Sequence, residues 1–231
     1  MSRLGVLSES KSILVVRELG RCEYWPVMKA MRAWTNRRIP STPDEIWLLE
    51  HPPVYTRGVS CRDEPRPPNR GIPLVDSDRG GQITYHGPGQ LILYLLLDLR
   101  RCGLGVRDFV TLIEQVLIEL LRESAVEALI QPGAPGVYVA GSKVAALGLR
   151  IRNGCCYHGL SLNVEMDLSP FQSIDPCGTT GLEVTQLRDH GITVDIQVLQ
   201  QCLLELFVSK LQYTQSIRGE SKLPMFSTKA K

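Results

Sequence analysis

A glycine-rich segment that runs into a continuous apolar stretch constrains this chain more than any other feature. Residues 79–90 hold four glycines and a proline together with an arginine, a tyrosine and a histidine, and the apolar residues 91–97 follow directly. An unbroken apolar run of this length predicts a buried strand. Glycine lets a ligand approach the backbone closely, so the segment is a candidate wall of a small-molecule site. A tight hairpin between two strands is the alternative interpretation.

The rest of the chain alternates between helix and strand patterns. Amphipathic helices are predicted where apolar residues recur at three- and four-residue steps, at residues 24–37, 106–121 and 196–211. β-like runs occupy residues 12–17, 46–49, 137–140, 143–150 and 158–164. These runs cluster between helices without a regular βαβ alternation, which predicts an α/β (α+β) fold with a mixed central sheet flanked by helices. We expect one domain over residues 1–213 and a frayed, flexible polar tail over residues 214–231.

Composition narrows the class of protein. The net charge is only +2 over 231 residues, so no global electrostatic argument points to nucleic acid. The seven cysteines include no C-x-x-C pair, no secretory signal begins the chain, and no apolar run approaches transmembrane length. Free thiols in a reducing cytosol are the simplest interpretation, so we expect a cytoplasmic protein with no nucleic-acid or membrane partner.

Cys177 is the best candidate for a nucleophile. It lies between Pro176 and Gly178, in a turn-like setting that can expose a side chain, although a packed thiol is the alternative. The thiolate is the reactive form, and a nearby cation favours it. Lys143 is the candidate cation, since an ammonium about 4 Å away contributes about 4 kcal/mol at an effective dielectric of about 20. A lysine at the start of an apolar run is also often only a strand-end charge in water.

Three other patterns are weaker. Residues 136–143 match G-x-x-x-x-G but continue with Ser-Lys in place of Lys and Ser or Thr, between segments that look like strands. We therefore reject a phosphate loop. Cys155 and Cys156 lack the ligand spacing of known zinc sites, so no metal is expected. His86 and His158 can each either donate a hydrogen bond in a pocket or satisfy backbone groups of the core.

The sequence resembles the lipoyl(octanoyl) transferases, enzymes of lipoate biosynthesis. The resemblance covers residues 50–178, and its motifs occur in order: EHPPVYT (50–56), RGGQITYHGPGQ (79–90), APGVY (134–138), GSKV (141–144), ALGLRI (146–151), HGLSLN (158–163), DLSPF (167–171) and PCG (176–178). One such motif is weak evidence, but the ordered set is specific. Many members carry Gly and Pro where this chain has Leu93 and Leu95, a departure that affects strand packing and leaves the chemistry intact.

The resemblance implies a fold shared with biotin and lipoate protein ligases, and it assigns roles to residues. Cys177 would form the acyl-thioester intermediate. Lys143 would lower the pKa of that thiol and act as acid and base. Substrate contacts would map onto three stretches: Arg79, Gly80, Gly81, Gln82, Ile83, Thr84, Tyr85 and His86; Ala146, Leu147 and Gly148; and Gly159, Leu160 and Ser161.

The implied reaction moves an octanoyl group from octanoyl-acyl carrier protein to a lysine of lipoyl domains, in 2-oxoacid dehydrogenase complexes and the glycine cleavage H protein. Neither ATP nor a metal is expected as a cofactor, because a thioester is already activated. Residue character suggests an acyl-tail wall of Ile83, Ala146, Leu147 and Leu160, with Arg79 and Tyr85 at the mouth. The alternatives are an ATP-dependent lipoate or biotin protein ligase on the same fold, and a non-enzymatic acyl or carrier-protein binding module.

Overall fold

Within the residues that the structure describes, a mixed sheet of eight strands forms the centre of the fold. The computed structural model describes residues 13–61, 67, 71–174 and 183–224. Their strands are β1 (Ile13–Arg21), β2 (Asp44–Glu50), β3 (Val54–Arg57), β4 (Leu74–Asp76), β5 (Ile83–His86), β6 (Gln90–Leu96), β7 (Leu129–Gln131), β8 (Ala134–Val139), β9 (Ser142–Arg152), β10 (Cys155–Asn163) and β11 (Gln215–Arg218). Their α-helices are α1 (Tyr24–Asn36), α2 (Leu99–Cys102), α3 (Val106–Glu123) and α4 (Ile196–Lys210).

The order of the strands confirms the mixed sheet that the sequence predicted. The large sheet runs β11-β1-β2-β6-β10-β9-β8-β7. β11, β1 and β2 pair in parallel, and every later neighbour from β2 through β7 pairs antiparallel. A separate three-stranded sheet has the order β4-β3-β5. No helix of the described residues is long and apolar enough to cross a membrane.

Strand β6 has an almost unbroken apolar sequence because both faces of the sheet are covered. Successive side chains of a strand point to opposite faces, so its residues divide into two sets. One set enters the core that contains α3 and α4: Leu91, Leu93 and Leu95. The other enters the core that contains α1: Ile92, Tyr94 and Leu96. The two leucines that depart from the family pattern are therefore fully used in packing.

Helices α3 and α4 cover one face of the large sheet. On α3 the buried apolar residues fall at the predicted helical spacing: Phe109, Ile113, Val116, Leu117, Leu120 and Leu121. Val106 also matched that spacing, but it is 48% exposed because it occupies the first position of the helix. α4 contributes Leu199, Leu203 and Phe207 to the same core.

The glycine-rich segment does not form a hairpin between paired strands. β5, inside the segment, belongs to the small sheet, whereas β6, immediately after it, belongs to the large sheet. The segment therefore carries the chain from one sheet to the other. Gly89 makes this crossing possible: its φ is +83°, and a Cβ there would lie 1.8 Å from the Glu165 carbonyl oxygen. Its backbone N–H donates to the Glu50 carboxylate at 2.7 Å.

The prediction of a flexible tail over residues 214–231 is wrong for the first residues of that range. Gln215–Arg218 forms β11, which pairs in parallel with β1 at the edge of the large sheet. Just before this strand, the Tyr213 hydroxyl donates to Asp44 Oδ2 at 2.6 Å in the interior. All four residues of β11 are exposed, so they have no apolar pattern for sequence analysis to detect. Residues 225–231 lie outside the described part of the chain.

Candidate active site

A cavity lies where the glycine-rich segment meets β9 and β10. It encloses about 750 Å³, including the part that is open to solvent. Its wall includes twelve of the residues that the resemblance assigned to substrate: Arg79, Gly81, Gln82, Ile83, Thr84, His86, Ala146, Leu147, Gly148, Gly159, Leu160 and Ser161. All four residues expected beside an acyl tail are among them. The fold therefore gathers three separate stretches of sequence around one space.

Two predicted contact residues lie away from the cavity wall. Gly80 donates its backbone N–H to the Leu149 carbonyl at 2.8 Å, which ties the glycine-rich segment to β9. Tyr85 is buried in a cluster with Tyr55 and Phe171, and of these three only Phe171 lines the cavity. Tyr85 therefore does not shape the mouth, because its place on β5 directs it into this cluster.

Two glycines face each other across β9 and β10 at the cavity. Gly148 and Gly159 are register partners. A Cβ on Gly159 would lie 2.0 Å from the Leu93 carbonyl oxygen, and one on Gly148 would lie 3.0 Å from Arg79 Cδ. Any larger residue would force β10 away from β6 or displace the arginine. Gly159 therefore lets β10 pack closely against the backbone of β6, and Gly148 lets the Arg79 side chain pack against β9.

Arg79 presents a buried positive charge to the cavity. Its guanidinium donates to the Thr56 carbonyl at 2.6 Å, to Thr56 Oγ1 at 2.9 and 3.1 Å, and to the Gly80 carbonyl at 2.9 Å. These contacts fix the orientation of the guanidinium at the cavity wall. Thr56 belongs to the small sheet, which is thereby linked to the site.

A directed chain of hydrogen bonds continues from Arg79 across the interior. Thr56 Oγ1 contacts His86 Nε2 at 3.3 Å, and His86 Nδ1 contacts Gln90 Oε1 at 2.7 Å. The amide oxygen only accepts, so Nδ1 carries the proton and Nε2 accepts from the threonine. Burial lowers the pKa of His86 well below its usual value, which agrees with this neutral tautomer. The sequence had left the role of His86 open.

The same chain ends beside the strand of the candidate catalytic lysine. The Gln90 amide donates to Asn163 Oδ1 at 2.9 Å, and the Asn163 amide donates to the Thr185 carbonyl at 2.9 Å. Thr185 in turn donates its backbone N–H to the Lys143 carbonyl at 2.9 Å. Because these groups are buried, each hydrogen bond helps to fix the next. The glycine-rich segment is therefore coupled to the backbone of Lys143.

Lys143 is buried and lines the cavity, so the interpretation as a strand-end charge in water is wrong. Its side chain is 3% exposed. The ammonium donates to the Pro135 carbonyl at 3.1 Å and lies 5.1 Å from the centre of the Tyr138 ring. Its backbone forms a parallel bridge with Val184, which also lines the cavity.

Residues 136–143 form a hairpin, which agrees with the rejection of a phosphate loop. Tyr138 pairs with Lys143 and Val139 pairs with Ser142, which leaves Ala140 and Gly141 as the turn. Both turn residues have positive φ, at 49° and 87°, as two-residue hairpins that match strand twist require. The glycine pattern here serves to place Lys143 at the start of β9.

Cys177 lies outside the described residues, which omit residues 175–182. On either side of that gap, Phe171 and Val184 both line the cavity. Three cysteines of the described residues are poor nucleophiles. Burial raises the pKa of the thiols of Cys22, Cys155 and Cys156.

The sequence analysis missed an aspartate that holds one of the histidines. His158 Nε2 contacts Asp78 Oδ1 at 2.9 Å, and the Tyr157 hydroxyl donates to Asp78 Oδ2 at 2.5 Å. A carboxylate only accepts, so His158 carries its proton on Nε2. Burial raises the pKa of Asp78, but these two hydrogen bonds outweigh it and hold that pKa at about 2. Asp78 stands immediately before the R-G-G motif, the one signal that pointed to it.

His158 combines burial with an unusual backbone. Burial lowers its pKa, and the hydrogen bond that it donates to Asp78 opposes the shift without reversing it. Its φ is +61° in the middle of β10, a conformation that is rare for a residue with a Cβ and that clusters at functional sites. His158 lines the cavity. In the described parts of the chain, no three His, Cys, Asp or Glu residues cluster in a way that could hold a metal ion.

A family model for the lipoyl protein ligase A/B catalytic domain matches residues 23–208. The chain belongs to this family. The match confirms the family that the ordered motifs indicated, and it covers most of the described fold.

Curated members of the family are close in sequence. An octanoyltransferase of Nitrosospira multiformis is 56% identical over 199 residues, which cover 86% of this chain and 93% of that protein. An octanoyltransferase of Pseudomonas fluorescens is 53% identical over 203 residues, covering 88% and 94%. An octanoyltransferase of Aromatoleum aromaticum is 58% identical over 191 residues, covering 83% of each chain.

Solved structures share the fold at low sequence identity. Lipoate-protein ligase A bound with ATP matches with a TM-score of 0.70 at 16% identity, over 90% of this chain and 89% of that one. A biotin protein ligase from Aquifex aeolicus matches with a TM-score of 0.51 at 13% identity, over 87% and 71%. These likenesses confirm the ligase-like fold that the family resemblance implied.

Proposed function

We propose that the protein transfers an octanoyl group from octanoyl-acyl carrier protein to a lysine of a lipoyl domain, through a thioester on Cys177. The observation that carries the proposal is the buried Lys143 ammonium in the cavity wall. Its backbone pairs with Val184, close in sequence after Cys177. The close relatives, which are named octanoyltransferases, support the identity of the acyl group.

The first half-reaction loads the enzyme. The Cys177 thiolate attacks the thioester carbonyl carbon, and the bond from that carbon to the sulfur of the carrier breaks. The leaving thiolate takes a proton from the Lys143 ammonium, which leaves a neutral amine and an octanoyl thioester on the enzyme. A buried ammonium suits this step, because the low local dielectric strengthens its attraction for the attacking thiolate.

The second half-reaction unloads the enzyme. The neutral amine of a lipoyl-domain lysine attacks the octanoyl thioester, an amide bond forms, and the Cys177 sulfur leaves as a thiolate. The proton that the attacking nitrogen loses returns to Lys143, so the starting state is restored. Splitting the transfer into two steps predicts ping-pong kinetics.

The cavity wall suits an aliphatic tail. Ile83, Ala146, Leu147 and Leu160 line it, and Phe171 closes one side. Burying the chain there removes apolar surface from water, worth roughly 0.8 kcal/mol for each methylene group. Arg79 supplies a polar group at the same wall, suited to the thioester or the pantetheine amides of the donor.

No cofactor enters this scheme. The donor thioester already holds the free energy that an amide requires, so neither ATP nor a metal has a step to perform. The acceptors that we propose are the lipoyl domains of 2-oxoacid dehydrogenase complexes and the glycine cleavage H protein. The carrier protein and these acceptors are soluble partners, which fits a cytoplasmic enzyme.

Intact-protein mass spectrometry tests the loading step. The enzyme is incubated with octanoyl-acyl carrier protein without ATP, and its mass should increase by one octanoyl group. The Cys177→Ala variant should gain nothing, while Cys202→Ala, a matched change on α4 outside the cavity wall, should load as the unmodified enzyme does. An octanoyl adduct that persists in Cys177→Ala would remove the proposed nucleophile.

Adding an apo-lipoyl domain tests the second step. The octanoyl mass should move from the enzyme to the lipoyl domain, again without ATP. An ATP-dependent ligase would modify the domain only with free acid and ATP. A binding module would bind the carrier and transfer nothing.

A further inference from the structure

Glu114 is a buried carboxylate inside an apolar helix face. It lies on α3 between core residues, and it is 7% exposed. In the described parts of the chain, no Lys, Arg or His nitrogen forms an ion pair with it. Burying a charged group without an ion pair costs free energy, so the hydrogen bond that Glu114 accepts must compensate for part of this cost.

The carboxylate contacts the backbone that holds the catalytic lysine. Glu114 Oε1 accepts the Gly136 backbone N–H at 3.0 Å. The carbonyl of the same peptide unit, that of Pro135, accepts the Lys143 ammonium at 3.1 Å. The described residues contain no cis peptide bond, so the N–H and the C=O of this unit point in opposite directions. The peptide therefore lies between a negative and a positive group, with its dipole aligned to favour both.

The Pro135–Gly136 peptide requires a glycine at its second position. Gly136 has φ +138°, and a Cβ there would lie 2.6 Å from the Ala145 carbonyl oxygen and 3.1 Å from Lys143 Cε. A side chain at this position would displace the peptide from both partners. The position thus admits glycine and little else.

We propose that Glu114 is a positioning residue that holds the Lys143 ammonium at the cavity wall through the Pro135–Gly136 peptide. The carboxylate polarises the peptide, so the Pro135 carbonyl becomes a better acceptor for the Lys143 ammonium. The inference rests on the proposed function only in giving Lys143 an acid and base role. The contact itself is independent of the reaction.

The variant Glu114→Gln separates charge from hydrogen bonding. The amide oxygen can still accept the Gly136 N–H, so a purely structural role predicts unmodified behaviour. Loss of the charge instead predicts a weaker hydrogen bond from the Lys143 ammonium to the Pro135 carbonyl, and so a lysine that is held less firmly at the cavity wall. Glu119→Gln is the matched control, because Glu119 lies on the same helix and pairs with Lys210 at its surface.

The primary measurement is the NMR spectrum of the lysine Cε resonances at one neutral pH, with Lys143 assigned by Lys143→Arg. In Glu114→Gln the Lys143 resonance should move toward the position of an exposed lysine, and in Glu119→Gln it should stay in place. Gly136→Ala, which keeps the carboxylate but displaces the peptide, should move it too. If the resonance is unchanged in both Glu114→Gln and Gly136→Ala, the proposal is overturned. This spectrum does not depend on any acyl substrate.

Single-turnover loading from octanoyl-acyl carrier protein gives the functional counterpart. The maximal loading rate should fall several-fold in Glu114→Gln, while the concentration of carrier protein that gives half of this rate stays unchanged. A wild-type enzyme that does not load would refute the proposed function and leave the spectral result standing. A wild-type enzyme that loads, with a Glu114→Gln variant that loads at the same rate, would refute the role of Glu114.

Discussion

Acid should destabilise this protein through histidines buried beside the cavity, and His51 offers the clearest case. His51 has no exposed surface. Its Nδ1 contacts the Cys22 carbonyl at 2.6 Å, and its Nε2 contacts the Tyr94 hydroxyl at 2.7 Å. The carbonyl only accepts, so Nδ1 carries the proton and Nε2 accepts from the tyrosine. Burial lowers the pKa of His51 from 6.5 to about 4, despite the opposing hydrogen bond to the Cys22 carbonyl.

The sign and size of the effect follow from linkage. The folded pKa lies below the unfolded pKa, so the unfolded chain takes up the proton first as pH falls. The contribution to stability is complete above about pH 6.5 and is lost as pH falls toward 4. At pH 5 an ordinary histidine is almost fully protonated when unfolded, whereas His51 in the folded protein is mostly neutral. The loss from His51 alone is then about 2 kcal/mol.

Urea unfolding of wild type and His51→Gln at pH 7.5 and pH 5 measures this loss. The variant should be less stable at pH 7.5, but its further loss on going to pH 5 should be smaller than that of wild type by about 2 kcal/mol. Carboxylates contribute equally to both proteins and cancel. His86 and His158 remain in both, and burial lowers the pKa of each, so the variant keeps some acid sensitivity. Losses that agree within about 0.5 kcal/mol would refute the reasoning.

Three shorter predictions concern other residues. Gly159→Ala should slow loading and destabilise the fold by about 2 kcal/mol, because the new methyl group would lie 2.0 Å from the Leu93 carbonyl oxygen. Urea unfolding measures the stability and single-turnover loading measures the rate. Wild-type values in both assays would show that β10 can move to make room for the methyl group. Asn163→Leu should cost about 1–3 kcal/mol by leaving the Thr185 carbonyl without its amide donor, and unfolding free energies that match wild type would argue against a fixed network. Cys156 should resist iodoacetamide in the native protein at pH 8, because burial raises the pKa of its thiol; peptide mapping that finds it alkylated before unfolding would contradict that environment.

The three long helices and the central strands of the large sheet were predictable because their sequences carry a strong period. The spacing on α3 and α4 and the unbroken apolar run of β6 reflect burial against whole layers of the fold. The small sheet was not predicted. β3, β4 and β5 have three or four residues each, and long-range pairing defines them more than local pattern does.

The candidate site was also predicted only in part. The motifs located most of the cavity wall, because the residues that line one cavity are constrained in type and spacing. They did not reveal that Asp78 holds His158, or that Glu114 reaches the Pro135–Gly136 peptide. Each of those contacts joins distant segments through a single hydrogen bond, which leaves no periodic trace in sequence.

The hairpin before β9 explains why composition alone left the role of Lys143 open. Its glycines resemble those of a phosphate loop, yet Gly141 makes a turn and Gly136 makes room for the lysine side chain. The backbone conformation of this hairpin, more than any charge nearby in the sequence, places the Lys143 side chain in the cavity wall. A substitution that spares Lys143 but alters either glycine should therefore impair the site as severely as the loss of a wall residue.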